Sequence, residues 1–325
     1  MADPGEKQAL RGGIDLGGTK IEAIVVDASN KVLGSARHPT PTTGTPADVA
    51  KQMAAAIQEA ASGAGTTTAA LAGVGVGSPG SIDTSAGTVS SARNLPGWDG
   101  SFALGPELSG ALGTRVAIGN DVQVATTAEF ELGAGQRYSS LIGVFWGTGV
   151  GGGLILGGKP WHGRGGAGEI GHMVIERGGR LCPCGNRGCV EAYAGRAAME
   201  AHARHEMDKG RKSDLLKLMH HHQHDRFTSA VWADAVEHKD ELAVELIDMA
   251  IEALGAGVAS AVNLLDVEAV MIGGGLGVRF GEPYVERIRA ATAKHLFPGH
   301  RPPDIQLVSL GDLGGALGAA LLVGG

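Results

Sequence analysis

The chain carries one internal repeat, which constrains the fold more than any other feature of the sequence. Residues 13–26 and residues 143–156 share one plan: an apolar strand, a glycine-rich turn with a threonine, and a second apolar strand. This plan is typical of a β-hairpin. Alternating helical and strand patterns follow each hairpin. The repeat therefore predicts an α/β fold of two similar domains, with a ligand in a cleft lined by both glycine turns.

The order of the remaining patterns places the division between the domains near residue 120. The first part adds a strand at 31–37 and a helix with Thr45 as its N-cap and Pro46 at its first position. In the second part, helical periodicity marks a long helix at 240–264. We expect a small N-terminal lobe at 11–119, a large lobe with the cysteine motif at 120–311, and a last helix at 312–325 that packs back on the first lobe.

All three cysteines of the chain lie in one glycine-punctuated loop, at Cys182, Cys184 and Cys189, and His172 lies just upstream. Thiolate and imidazole are ligands that Zn²⁺ prefers, and structural zinc sites are usually four-coordinate, Cys₃His among them. The alternative is three buried thiols and a hydrogen-bonded core histidine. Because the whole cysteine inventory is concentrated in one loop, the sequence favours a zinc site.

Composition and charge argue against several classes of function. A net charge of −7 disfavours a nucleic-acid partner, since phosphate backbones require a basic face. No apolar run approaches the roughly 18 residues needed to span a bilayer. The first residues, MADPGEKQALRGG, lack the apolar core of a signal peptide. An odd number of clustered cysteines fits a reducing compartment. We expect a cytoplasmic protein with no nucleic-acid or membrane partner.

Two motifs have the residue types that phosphoryl transfer requires. Asp15 and Lys20 flank a glycine turn whose backbone N–H groups can approach an anion; an ordinary hairpin turn is the alternative. Asn120 and Asp121 stand where a strand gives way to a helix, and a helix cap is their simplest interpretation. The alternative is a general base, because a carboxylate there can accept a proton from an alcohol that attacks a phosphate.

Histidines cluster at positions 220–222 and 224, within a polar segment at 208–226. Histidine-rich tracts can bind metal ions. We expect instead that these histidines lie on a solvated surface or a mobile connection.

Taken together, these motifs resemble the ROK family, named for repressor, open reading frame and kinase. The resemblance covers the chain from about Gly12 to its C-terminus. The glycine turns alone are shared across the wider actin/hexokinase-like superfamily, whereas the cysteine motif with its upstream Glu-x-x-His is specific. The motifs that carry the resemblance are Asp15-x-Gly-Gly-Thr-Lys20, Asn120-Asp121, the turn at 147–152, Glu169-x-x-His172 and Cys182-x-Cys184-Gly-x-x-Gly-Cys189-x-Glu191.

The resemblance implies a two-lobed actin-like ATPase fold, ribonuclease H-like in each domain, with sugar and ATP in the cleft. It implies an ATP-dependent hexose kinase that phosphorylates the 6-hydroxyl, and the similarity of Asn94-Leu-Pro-Gly-Trp98 to family glucokinases favours glucose. Asp121 would be the general base. The sugar would be held by Asn94, Asn120, Asp121, Glu169, His172 and Glu191.

The same resemblance assigns the cofactors. A structural Zn²⁺ would be bound by His172, Cys182, Cys184 and Cys189. The phosphates of ATP and Mg²⁺ would be bound by Asp15, Gly17, Gly18, Thr19, Lys20, Gly147, Thr148 and Gly149. Adenosine would lie near Gly273, Gly274 and Gly275. Because the phosphate turns lie elsewhere in the chain, we expect loss of zinc to weaken sugar binding more than nucleotide binding.

Several alternatives stay open at this point. Within the family, a fructokinase, a mannokinase or an N-acetylhexosamine kinase is the nearest rival, and polyphosphate is a rival donor. A sugar-sensing repressor relative without a DNA-binding domain would bind sugar and transfer no phosphate. A zinc-stapled interaction module would bind neither sugar nor nucleotide. The resemblance also implies a homodimer or homotetramer.

Overall fold

The structure is a computed structural model that describes residues 9–92, 95–299 and 301–324. These residues form two compact units. One unit comprises the chain up to Leu132 together with Gly163–Gly165 and the residues from Leu310 on. The other comprises Gly133–His162 and Gly166–Ser309.

Both units contain strands and helices. The strands of the first unit are β1 Arg11–Leu16, β2 Lys20–Val26, β3 Val32–Pro39, β4 Val74–Ser78, β5 Ser81–Asp83, β6 Thr88–Ser90, β7 Ser101–Phe102 and β8 Val116–Asn120. Its helices are α1 Pro46–Gly63, α2 Leu104–Leu112, α3 Asp121–Leu132 and α11 Gly314–Leu321. The strands of the second unit are β9 Leu141–Trp146, β10 Val150–Leu156, β11 Lys159–Pro160, β12 Ala269–Gly273 and β13 Asp304–Leu307. Its helices are α4 Glu191–Ala194, α5 Arg196–Asp208, α6 Leu215–His221, α7 Ser229–Glu237, α8 Glu241–Leu265, α9 Gly274–Phe280 and α10 Glu282–Ala293.

The two main sheets repeat one topology. The first has the strand order β3-β2-β1-β4-β8, and the second has the order β11-β10-β9-β12-β13. In each sheet the first two strands along the chain, β1 and β2 or β9 and β10, form an antiparallel hairpin. Strands β4 and β8 run parallel to β1, and strands β12 and β13 run parallel to β9. Strands β5, β6 and β7 form a small separate sheet. The prediction of two similar α/β domains, made from the two hairpin motifs, is confirmed.

Glycines on the first sheet let the last helix pack against it at close range. A Cβ atom at Gly13 would lie 2.0 Å from the carbonyl oxygen of Ala316, and one at Gly75 would lie 1.7 Å from that of Ala319. Real Cβ atoms do not come so near, so only glycine fits. Helix α11 therefore packs on β1 and β4, and it also packs against α3. This contact joins α3 to the first unit, which extends one helix beyond the expected boundary at 119/120.

Sequence signals located the starts of the long helices well. Thr45 and Asp48 form a capping box at the start of α1, and the Asp240 side chain accepts a hydrogen bond from the Ala243 amide at the start of α8. After the cysteine loop, Gly195 separates two consecutive helices, α4 and α5.

The segment at 208–226 is more ordered than expected. It contains α6, whose Leu215 and Met219 are buried four residues apart on one face. Among the clustered histidines, the Nε2 atom of His222 lies 2.6 Å from the Asp234 carboxylate in α7. The histidines lie on the surface as expected, since His220, His221 and His224 are exposed. They belong to or follow a short helix that buries Leu215 and Met219, and so do not form a mobile connection. Among the described helices, none has the length and apolar character to cross a membrane.

Candidate active site and metal centre

The predicted site residues of the first unit meet at one edge of its sheet. Because β1, β4 and β8 are parallel, their carboxyl ends lie side by side. The register places Asp15 beside Gly77, and Ser78 beside Asn120. The glycine turn that follows β1 and the Asn120-Asp121 pair that follows β8 therefore lie at the same edge.

A buried threonine fixes the first glycine turn. Within the turn, the Gly17 amide donates to the Lys20 carbonyl at 2.9 Å. Thr40, which is 4% exposed, donates its amide to the Thr19 carbonyl at 3.1 Å and its hydroxyl to the Gly17 carbonyl at 2.7 Å. Gly18 lies between these tethered residues. The turn is thus held in one shape before any ligand binds.

Asp15 is half-buried. Burial raises the pKa of Asp15 to about 6; Lys20 opposes the rise and Glu22, its cross-strand partner, adds to it. A Cβ atom at Gly315 would lie 2.5 Å from its Oδ2 atom, so this carboxylate also faces the start of α11. An acid in this setting gains from a nearby cation.

Lys20, predicted to serve the phosphates, belongs to an ion-pair network in the structure. Its Nζ atom lies 3.4 Å from the Glu22 carboxylate and 3.5 Å from that of Asp312. Arg37 contacts the same two acids, at 2.6 Å and 3.0 Å. The sequence analysis missed Glu22, Arg37 and Asp312. Hairpin register alone would have pointed to Glu22, an acid opposite Asp15 in an otherwise apolar strand.

Asn120 and Asp121 have distinct surroundings. The Oδ1 atom of Asn120 accepts hydrogen bonds from the amides of Val122 and Gln123, both at 3.1 Å, so Asn120 caps helix α3. Asp121 is half-buried, and one of its oxygens lies 3.0 Å from the Val122 amide. The predicted sugar ligand Asn94 lies outside the described residues.

The second unit brings its two glycine motifs together in the same way. Strand pairing places Gly273 beside Phe145, just before the turn at 147–149. Gly274 has a φ of +80°, and a Cβ atom there would lie 2.5 Å from the Trp146 carbonyl oxygen. The motif continues to Gly275, whose amide nitrogen would lie 3.7 Å from a Cβ atom at Gly147. Both motifs therefore lie at one edge of the second sheet.

The three cysteines and His172 converge on one point. Their potential ligand atoms all lie within 4.8 Å of one another. The Nδ1 atom of His172 lies 3.7 Å from the Cys182 sulfur, and the Cys184 and Cys189 sulfurs are 3.8 Å apart. Gly188 makes this geometry possible, because its φ is +83° and a Cβ atom there would lie 1.7 Å from a neighbouring carbonyl oxygen.

The donor set fits a zinc ion. Burial raises the pKa of Cys182 to about 12 and also raises the pKa of Cys189, while a hydrogen bond from the Asn186 amide lowers the pKa of Cys184. Crowded thiols of this kind become thiolates when a cation compensates their charge. Three sulfurs and one imidazole nitrogen match the preferences of Zn²⁺ and leave no protein ligand missing from a tetrahedral site.

Two glutamates connect the cysteine loop with its surroundings. The Nε2 atom of His172, on the ring edge away from the sulfurs, lies 3.8 Å from the Glu169 carboxylate. Glu191 accepts a hydrogen bond from the Val150 amide at 2.9 Å, and a Cβ atom at Gly149 would lie 2.3 Å from the same carboxylate oxygen. The glycine turn at 147–149, predicted to bind phosphates, is therefore distant from the cysteine loop in sequence but adjacent in space. This contact removes the premise for expecting zinc loss to spare nucleotide binding.

Arg196 is a site neighbour that sequence reasoning missed. It is 9% exposed, and its guanidinium donates to the Thr148 hydroxyl oxygen at 2.9 Å and to the Phe227 carbonyl at 2.8 Å. Burial lowers the pKa of Arg196 from its ordinary value, and Glu200 partly offsets this effect. No spacing rule in the sequence connects this arginine with the turn, because the contact arises only when α5 packs beside it.

Comparisons with known proteins identify the family. The model of the ROK family matches residues 11–325. A glucokinase of Thermotoga maritima is 32% identical over 313 residues, which cover 96% of each chain. The N-acetylgalactosamine kinase AgaK of Shewanella sp. is 31% identical over 323 residues, which cover 95% of each chain. A crystal structure of a ROK family glucokinase from Streptomyces griseus in complex with glucose and AMPPNP is 31% identical, with a TM-score of 0.82, and the match covers 97% of this chain and 99% of the other.

The chain belongs to the ROK family. The predicted fold class, a two-lobed actin-like ATPase with ribonuclease H-like domains, is confirmed by the repeated sheet topology and by this structural similarity.

Proposed function

We propose that the protein is an ATP-dependent hexose kinase that transfers the γ-phosphoryl group to the 6-hydroxyl of glucose. Two similarities support glucose: the Thermotoga maritima relative is a glucokinase, and the Streptomyces griseus structure is a ROK family glucokinase in complex with glucose and AMPPNP. Both similarities extend over nearly the whole chain.

The observation that carries the proposal is the meeting of Asp121 and the Asp15 turn at one edge of the first sheet. Phosphoryl transfer from ATP to an alcohol needs a base for the hydroxyl proton and groups that hold the phosphates and their metal ion. Asn120 caps α3, so the carboxylate of the next residue is not required for that task. This division of roles favours Asp121 as the base.

The chemistry assigns one role to each group. Asp121 accepts the proton of the 6-hydroxyl while that oxygen forms its bond to the γ-phosphorus and the bond to the β-phosphate oxygen breaks. The glycine turns direct backbone N–H groups at the phosphates. The Asp15 carboxylate would hold the Mg²⁺ that accompanies ATP, and this ion would neutralise phosphate charge. Asn120, Glu169, His172 and Glu191 position the sugar hydroxyls.

The zinc ion has a structural role in this proposal. The protein supplies all four ligands, so no coordination position is left for substrate or water. With Nδ1 of His172 beside the Cys182 sulfur as the zinc ligand, Nε2, the ring edge beside Glu169, would be available to a sugar hydroxyl. Zinc also fixes Cys189 and, through the short connection to α4, Glu191. The metal thus acts through the positions of the two sugar ligands.

A coupled assay over several sugars and donors tests the proposal. Glucose, mannose, fructose, N-acetylglucosamine, N-acetylmannosamine and N-acetylgalactosamine are compared, each with ATP and with polyphosphate. We expect the highest kcat/KM for glucose with ATP. Turnover of none of these sugars would refute the kinase assignment, and sugar binding without turnover would favour a sensor.

Cytoplasmic location and an assembly of two or four chains stay predictions.

An N-acetylhexosamine kinase is the second candidate. It is favoured by the similarity to the N-acetylgalactosamine kinase AgaK, whose identity to this chain is close to that of the glucokinases. A kcat/KM for any N-acetylhexosamine above that for glucose would establish it instead.

A further inference from the structure

We propose that Arg196 is a positioning residue for the nucleotide, which prepares the second glycine turn by fixing the direction of the Thr148 hydroxyl. The inference rests on the proposed function, because it concerns the phosphate-binding role of the turn at 147–149. It adds a residue outside every motif that identified the site, on a helix that follows the cysteine loop.

The hydrogen bond between the two residues can have only one direction. A guanidinium group has N–H donors and no acceptor. The Thr148 oxygen, 2.9 Å from Nη2 of Arg196, must therefore accept this hydrogen bond. Its own proton is then directed away from Arg196. Thr148 is exposed, so a phosphate oxygen can reach its hydroxyl group and accept that proton.

Backbone contacts hold the turn against the same helix. The Arg196 amide donates to the Gly147 carbonyl, and the Ala197 amide donates to the Thr148 carbonyl, both at 3.0 Å. Two turn carbonyls are thereby occupied by the first amides of α5. With carbonyl oxygens turned towards the helix, the negative ends of these peptide dipoles are removed from the anion-binding side.

The Arg196 charge lacks a direct counter-ion in the described part of the chain. Its Nη1 atom donates to the Phe227 carbonyl at 2.8 Å, which is a neutral partner. The nearby Glu200 carboxylate accepts instead from Arg204, at 2.7 Å and 3.0 Å, and from the Phe227 amide at 3.0 Å. Arg196 is 9% exposed and, among the residues that the structure describes, has no carboxylate in direct contact, so an anion that binds close by stabilises its charge. A nucleotide phosphate on the turn supplies that anion.

The chain offers a matched control in Arg204. This arginine lies on the same helix, pairs with Glu200 and stacks on the Phe227 ring at 4.6 Å. It shares the surroundings of Arg196, but its guanidinium donates to the Glu200 carboxylate and the Met219 sulfur, neither of which belongs to the glycine turn. Arg204→Met therefore perturbs the same packing without touching Thr148.

A double-mutant cycle tests the inference. Calorimetry measures AMPPNP and glucose affinities for wild type, Arg196→Met, Thr148→Val and the double variant. We expect each single change to weaken AMPPNP affinity by about 10- to 100-fold, with glucose affinity kept within about twofold, since charge-assisted hydrogen bonds have effects of this size. The double variant should be no weaker than the weaker single variant. Arg196→Lys keeps the charge and should recover part of the loss, and Arg204→Met should bind AMPPNP like wild type.

The outcomes separate this inference from the proposed function. Three outcomes would overturn the role of Arg196 and leave the proposed function standing. They are additive losses in the cycle, equal losses of AMPPNP and glucose affinity, and a loss in Arg204→Met equal to that in Arg196→Met. Wild type that binds no AMPPNP would refute the kinase assignment and this inference with it. If Arg196→Met does not fold, the cycle with Arg196→Lys and Thr148→Val gives the same decision.

Discussion

Two carboxylates at one edge of the first sheet, Asp15 and Asp121, are held in different ways. Asp15 ends a buried strand and faces Glu22 across the hairpin. Asp121 begins a helix whose capping oxygen comes from the preceding asparagine. One acid is in a setting that disfavours negative charge until a cation arrives, and the other stands beside helix amides that favour it. These surroundings suit a metal-binding acid and a general base, respectively.

Asp121→Asn should remove most of the turnover and leave sugar affinity nearly intact. The amide keeps its hydrogen-bonding capacity but does not accept the hydroxyl proton. Loss of a general base costs about 10²–10⁴-fold in kcat. Steady-state kinetics and glucose calorimetry measure the two effects. Turnover close to wild type would show that Asp121 serves the helix terminus alone.

Asp15→Asn should stabilise the metal-free protein at pH 8 and have little effect near pH 3.5. Because the folded-state pKa of about 6 lies above 3.8, the ordinary pKa of an aspartate, the folded state binds more protons between these values, and stability falls as pH rises through this window. The amide cannot ionise and escapes this loss, which amounts to about 3 kcal/mol. Thermal unfolding across the pH range measures the difference between variant and wild type. A difference independent of pH would contradict the assignment.

Motif residues and partner residues differ in how well the sequence predicts them. Cys182, Cys184, Cys189 and His172 were predicted as a group, and the structure brings them together. Their spacing limits how they can fold. Arg196 and Arg37 were not predicted, since a long flexible side chain finds its partner only after strands or helices have paired. The contact between Glu191 and Val150 was not predicted either, because the two residues are 41 positions apart in the sequence.

The cysteine loop and the second glycine turn form one connected piece through Glu191. Val174 and Cys189 pair as an isolated antiparallel β-bridge in the loop, and the Val190 amide donates to the Met173 carbonyl at 3.0 Å. Glu191 follows directly and reaches the Val150 amide. Displacement of the loop therefore displaces a carboxylate that touches the turn.

Cys184→Ala should lower zinc content, thermal stability and both affinities. Without the fourth ligand the loop loses its metal, and a drift of about 1 Å in a binding residue costs on the order of 10²-fold in activity. Elemental analysis, thermal unfolding and calorimetry with glucose and AMPPNP give the four readouts. A variant without zinc but with unchanged affinities would refute the supporting role, and wild type without zinc would remove its premise.

Gly149→Ala tests the contact between turn and loop from the other side. The new methyl group would lie 2.3 Å from the Glu191 carboxylate oxygen and would have to push it aside. We expect glucose and AMPPNP affinities to fall by about tenfold or more, as for other losses of a charge-assisted hydrogen bond. Gly166→Ala is the control, because nothing lies within 4 Å of a Cβ atom there. Equal effects of the two substitutions would disprove the contact.

Helices α6 and α7 show where the sequence pattern was too weak. Helix α6 has only seven residues, and of its four apolar residues only Leu215 and Met219 are buried. In α7, Val231, Trp232 and Ala235 are buried, yet the helix has only nine residues. Long helices such as α8 repeat their apolar face often enough to be recognised, whereas short helices depend on the surfaces they cover.

The molecule as a whole repeats one sheet topology, and each sheet has its own apolar core. The repeat was predictable because both hairpins carry the same glycine pattern. The return of α11 to the first sheet was expected, but its glycine contacts with β1 and β4 are invisible in a linear pattern. They depend on which backbone atoms face each other after packing.

Gly75→Ala should destabilise the first unit, because its methyl group would lie 1.7 Å from the Ala319 carbonyl oxygen and α11 would have to move away. Overpacking of this kind costs about 1–3 kcal/mol. Gly110→Ala in α2 is the matched control, since nothing lies within 4 Å and alanine favours a helix by up to about 1 kcal/mol. Urea unfolding measures both. A neutral Gly75→Ala would show that α11 does not pack at this distance.

The position of α11 also determines when each half of the chain can mature on the ribosome. Apart from three residues, the second unit is one continuous stretch that ends at Ser309, so its sheet can form as soon as that stretch has emerged. The first unit is synthesised earlier, but the helix at Gly314–Leu321 that covers β1 and β4 emerges last. The half of the protein that is made first is therefore completed last, and during translation its uncovered sheet is the surface that a chaperone would encounter.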